Sequence, residues 1–200
     1  MDQIQSLADR REIEHVLTLY ARAIDRLDRE LLLNCYHENA RDSHAGFDGT
    51  AEEFANHALP FLRDMFSATM HHITHVTIEL LGDQAAVESY YYAWHWMEGD
   101  AGKIAGFFGD AYAVACERAG TLNDGHDFIC AGRYLDLFSR RDGAWKIADR
   151  EITVEWKHFA PASHGAPGSG IARIMAPPAR DRSDPVYRNR ARSVVNSTAR

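Results

Sequence analysis

The chain has 200 residues, 46% of them apolar, which suits one domain with a full core. A formal charge of −7 argues against the basic surface that nucleic-acid binding requires. No apolar run reaches the roughly 18 residues of a membrane span.

The opening MDQIQSLADRREIEH is charged and helical in pattern, with neither the apolar stretch nor the cleavage site of a leader. Cys35, Cys116 and Cys130 have no framework spacing and fit free thiols in a cytoplasmic protein. Ile4, Leu7, Ile13, Val16, Leu17, Tyr20 and Ile24 recur at helical spacing, so residues 4–24 are expected to form one long helix. Asp28 then suits the N-cap of a short helix through Leu31, Leu32 and Leu33. Thr50 and Glu53 make a capping box for a third helix. That helix carries Phe54, Ala58, Phe61, Leu62 and Phe66 on its apolar side, and Pro60 is expected to kink it.

After residue 70 the period changes from helix to strand. Residues 71–81, the turn Gly82-Asp83 and residues 85–96 predict a hairpin. The Gly-punctuated stretch 97–125 holds an inserted helix. Residues 127–140 predict another strand, and Asp142-Gly143 turns the chain into a last strand over 145–156. From about residue 158 the composition shifts, and five of the six prolines follow. The expected organisation is therefore a domain over 1–157 and an irregular Pro/Gly-rich extension over 158–200. Helices followed by antiparallel strands make the class α+β. Long twisted strands curl, and helices on one face of a curled sheet would enclose a cone-shaped cavity.

Three side chains could carry chemistry. Asp25 ends the first helix, where the dipole disfavours a carboxylate by a few tenths of a kcal/mol. It is either exposed or held by a donor such as an imidazole. His71 opens the first long strand, beside His72 and His75. The i, i+4 pair His71 and His75 would share a metal only on a helix. On a strand the two lie roughly 13 Å apart at about 3.3 Å per residue, so no metal is expected there. His71 is a solvated histidine, or a general base if a carboxylate orients it. Arg150 shares a strand face with Ala148, Ile152, Val154 and Trp156, which turns it inward. A buried guanidinium requires a partner, either a structural carboxylate or an anionic group of a substrate. Tyr20 sits on the apolar stripe of the first helix. The aromatic strand with Tyr90, Tyr91, Tyr92, Trp94 and Trp96 should send half its rings inward, as suits a flat hydrophobic ligand.

The segments RAIDRLDRELL, ENARDSHAGFDGTAEEF, TMHHIT, VTIELLGDQAAVESY and GRYLDLFSRRDGAWKIADREITVEW, in that order, resemble the SnoaL-like branch of the NTF2-like, or cystatin-like, superfamily over residues 1–157. The resemblance implies a cone of curved antiparallel sheet packed with N-terminal helices. Its members include scytalone dehydratases, bile-acid 7α-dehydratases and hexachlorocyclohexane dehydrochlorinases. By that likeness Asp25 and His71 would form a base dyad, Arg150 and Tyr20 would assist it, and Phe66, Tyr91, Tyr134 and Ile152 would line the pocket. The implied activity is a cofactor-free lyase of dehydratase type, without a metal, acting on a hydrophobic cyclic or aromatic molecule within a homodimer or homotrimer. An isomerase or cyclase using the same dyad, a non-catalytic β-subunit of an aromatic-ring dioxygenase, and a ligand-binding module remain open alternatives.

Overall fold

The computed structural model describes residues 2–44 and 46–189. Helix α1 (Gln3–Asp25) starts at Asp2, whose side chain accepts from the Ile4 amide. Its core stripe is Ile13, Val16, Leu17, Tyr20, Ala23 and Ile24, all buried. The stripe starts later than the sequence pattern implies, because Ile4 and Leu7 are 76% and 68% exposed. Burial begins at Asp9, whose Oδ1 accepts from Gln5, Arg140 and the Trp145 indole.

Helix α2 (Arg29–Asn34) is capped by Asp28 as its sequence predicts. Strands β1 (Tyr36–His44) and β2 (Phe47–Thr50) follow, and neither carries an alternation that sequence periodicity detects. Helix α3 (Ala51–Met65) opens with the full Thr50–Glu53 capping box and continues through Pro60 to Met65. The hairpin is β3 (Ala68–Leu81) with β4 (Gln84–Met97). The insertion forms two helices rather than one, α4 (Ala101–Phe108) and α5 (Asp110–Ala119). Strand β5 (His126–Arg141) turns at Asp142-Gly143, both with positive φ (52° and 80°), into β6 (Ala144–Pro161).

The strands form one open, curved sheet in the order β2-β1-β6-β5-β4-β3. It is mixed rather than wholly antiparallel, because β1 runs parallel to β6. Between β1 and β6 the chain passes through four further strands and three helices, and a parallel pair requires such a long crossover. The helices cover the concave face, where the core sits.

Three bulges decide which side chains face inward. In β3, Thr74 opposes Tyr90 and Thr77 opposes Glu88, so two residues face one at His75, which has φ 50°. The extra residue puts His75 on the outer face beside Tyr90, not on the face of His71. In β6, Ala148 is skipped between Ile147 and Asp149, and Glu155 between Val154 and Trp156. These shifts correct the predicted face of Arg150: Ile152 and Val154 share it, whereas Trp156 faces outward, stacked on Tyr92. Gly132 sits at the second bulge, where an added Cβ would come within 1.9 Å of the Thr153 carbonyl.

Candidate active site

Asp25 is the last residue of α1, and β3 is an edge strand of the sheet. An edge strand has backbone N–H groups without a ladder partner. One of these, on His71, donates to Asp25 Oδ2 at 3.0 Å. The Thr69 hydroxyl donates to Oδ1 at 2.9 Å, and His71 Nδ1 lies 2.8 Å from the same oxygen. Burial raises the Asp25 carboxyl, but these donors and the His71 ring outweigh it and hold the acid below the usual carboxylate range. A carboxylate can only accept, so Nδ1 of His71 carries the proton and Nε2 is left as the basic atom.

His71 lines a cavity of about 810 Å³ between the helices and the concave face of the sheet. Tyr20 and Ile24 contribute from α1, Phe54, His57 and Phe61 from α3, Tyr91 and His95 from β4, Phe128 and Tyr134 from β5, and Ile152 from β6. Phe66 stands at the centre of an aromatic group with His95 at 4.8 Å and Phe107 at 5.4 Å between ring centroids. The insertion thus closes one end of the cavity through Phe107, which also packs on Phe61 and Phe128.

Of the residues singled out from sequence, Tyr20, Phe66, His71, Tyr91, Tyr134 and Ile152 line the cavity, and Asp25 backs His71. Arg150 does not join them on the wall. It is fully buried and holds Asp136 in a bidentate pair, Nε to Oδ1 at 2.6 Å and Nη2 to Oδ2 at 2.7 Å. The rings of Tyr20 and Tyr134 each lie 4.1 Å from its guanidinium carbon. The guanidinium is therefore a cation behind the wall, screened from the cavity by two tyrosines. Burial opposes its charge, but the attraction and hydrogen bonds of Asp136 together with Tyr36 and Tyr20 outweigh it, so it stays protonated.

Sequence reasoning missed three cavity histidines: His44, His57 and His95. His95 was accessible through parity, because it shares the odd-numbered face of β4 with Tyr91 and Ala93. It is buried edge-on to His71 at 5.3 Å between centroids. Burial, with His71 adding to it, lowers its pKa to about 3, so this ring is neutral. His44 lies on β1, which has no readable period. Among the described residues no group of three or more His, Cys, Asp or Glu side chains could hold a metal ion. No helix there is long and apolar enough to cross a membrane.

Solved structures share this architecture. A candidate scytalone dehydratase from Novosphingobium aromaticivorans matches at 22% identity, covering 82% of this chain and 95% of its own, with a TM-score of 0.61. A type 3 hexachlorocyclohexane dehydrochlorinase from Novosphingobium barchaimii matches at 15% identity, covering 83% and 99%, with a TM-score of 0.62. A cystatin-like fold protein of unknown function from Nostoc punctiforme matches at 18%, covering 74% and 92%, with a TM-score of 0.52. No curated protein matches the chain. At these identities the likeness establishes the fold, while the family rests on the sequence itself: residues 5–151 match the SnoaL-like domain, and the chain belongs to that family.

Proposed function

We propose that the protein is a lyase that removes a carbon-bound proton from a hydrophobic cyclic or aromatic molecule and expels an oxygen leaving group. The observation that carries this is the Asp25–His71 hydrogen bond at the wall of an aromatic-lined cavity. His71 Nε2 takes the proton. Asp25 fixes the tautomer and stabilises the imidazolium that forms. Tyr20 is held protonated by burial, against the pull of Arg150, so its hydroxyl is a donor for charge that develops on the substrate. Arg150 acts from behind the ring, as a fixed positive charge that the substrate does not touch. The apolar walls select a flat ligand and exclude water from the base. This chemistry asks for a base, a donor and a largely apolar cavity, each supplied by the chain itself.

The test uses 5-nitro-1,2-benzisoxazole, a flat aromatic carbon acid whose ring opens when a base takes its proton. Saturable turnover is expected from the wild-type chain. His71→Ala should lower it by about 10²- to 10⁴-fold, the range of a general base, with the fold intact by circular dichroism. Turnover in His71→Ala equal to wild type, or none above buffer in the wild type, overturns the reading.

A further inference from the structure

A second histidine–carboxylate pair faces the same cavity. His44 lines it, stacked on Phe54 at 4.9 Å between centroids, and its Nδ1 lies 3.5 Å from Asp42 Oδ1. Asp42 is fully buried, and its other oxygen accepts from the Tyr36 hydroxyl at 2.5 Å. Asp42 Oδ1 and His44 Nδ1 are both buried, and each lacks any other hydrogen-bond partner among the described residues. Arg150 Nη1 is a third buried atom without a partner among them, and His44 is the one of these three residues that lines the cavity. A separation of 3.5 Å is longer than a good hydrogen bond, and such contacts tighten when a ligand fills the site.

Charge balance gives the pair a direction. Register places Asp42 on β1 opposite Arg150 on β6, and Arg150 opposite Asp136 on β5. Two buried carboxylates therefore flank one guanidinium, and Arg150 commits two nitrogens to Asp136. Two carboxyl groups thus share one guanidinium, and buried charges require pairing. His44 is the histidine within reach of Asp42.

We propose that His44, oriented by Asp42, is a second proton-transfer group of this cavity and, acting as an imidazolium, protonates the departing oxygen while His71 removes the carbon-bound proton. This rests on the elimination reading above. The C–H electron pair becomes the new double bond as the bond from carbon to oxygen breaks, and the hydroxyl takes the His44 proton and leaves as water. His71 ends with one proton more and His44 with one fewer. Proton exchange with solvent restores both.

Two probes separate this role from a packing role. 5-Nitro-1,2-benzisoxazole releases a stable phenolate, whereas unsubstituted 1,2-benzisoxazole releases a poor one and depends more on an acid. In both, the N–O bond breaks as the nitrile forms. His44→Phe should lose at least about tenfold more rate on the unsubstituted probe than on the nitro probe. His44→Gln, which keeps a polar group without the transferable proton, provides the same comparison if the phenylalanine variant does not fold. Equal losses on the two probes, or no loss, overturn the proposal. Nitrogen-15 NMR of the histidine rings in the full chain judges the contact without any turnover. In the wild type, His44 Nδ1 should carry a proton hydrogen-bonded to carboxylate, and Asp42→Asn should shift that resonance. An unprotonated Nδ1 in the wild type overturns the proposal. If His71→Ala leaves both probes unaffected, the elimination reading falls, while the NMR result still decides the His44–Asp42 contact.

Discussion

Two buried carboxylates on the concave side of this molecule have opposite fates. Asp136 is sealed in a bidentate pair with a guanidinium that two tyrosine rings cover. Asp25 instead receives a hydroxyl, a backbone N–H and one nitrogen of an imidazole whose ring borders the cavity. Both are satisfied, but only the second leaves a basic atom where a ligand can meet it. Pairing with arginine fixes a charge, because a guanidinium does not deprotonate. Pairing with histidine prepares a proton acceptor.

Mutation should separate the two. Asp136→Asn removes the carboxylate that holds two nitrogens of a buried guanidinium. It should cost about 3–5 kcal/mol of stability in denaturant unfolding, the size seen when one member of a buried ion pair is removed. Asp25→Asn should cost less, about 2 kcal/mol, because an amide oxygen still accepts one or two of the three donors. Its larger effect should fall on turnover, through the His71 tautomer. If instead Asp25→Asn destabilises more than Asp136→Asn, the contrast between the two sites is wrong.

The smallest effect sharpens the electrostatics around His71. His95 has its pKa lowered to about 3 by burial, with His71 second, from an ordinary 6.5. The unfolded chain therefore binds the extra proton between those values. The stability that neutral His95 contributes is complete above pH 6.5 and is lost as pH falls toward 3. By pH 5 the loss is about 2 kcal/mol. His95→Phe, which suits the neighbouring Phe66 and Phe128 rings, should shrink the drop in melting temperature between pH 7 and pH 5. An unchanged acid profile would place the sensitivity elsewhere.

Much of this architecture is legible in the amino-acid order, and the exceptions have physical causes. The Asp28 cap, the Thr50–Glu53 box and the Asp142-Gly143 turn are local signals, and each governs its own element. Strand β1 hides because its buried residues are Tyr36, Ala40 and Asp42 among exposed polar ones, which gives no apolar alternation. Its invisibility concealed His44 and Asp42 as well. Parity failed for His75 and Trp156 because a bulge adds one residue and reverses every side chain beyond it. Arg150 could be read as inward, but not as sealed, because its partner Asp136 and the two covering rings come from other elements. The meeting of Asp25 with His71 lies beyond any local pattern, since 46 residues separate them.

The C-terminal segment returns to the corner that carries the dyad. Arg26, next to Asp25, donates to the Ala179 carbonyl and pairs with Asp184. Arg182 and Tyr187 both reach Asp28, and Arg180 donates to the carbonyls of Leu62 and Phe66 at the end of α3. The family match ends at residue 151, so this clasp lies outside the matched residues. On the ribosome, the carboxylate emerges early but the corner around it closes only when the last described turn is made. A fusion partner joined directly after Tyr187 would sit beside the corner that a protein engineer meant to leave undisturbed.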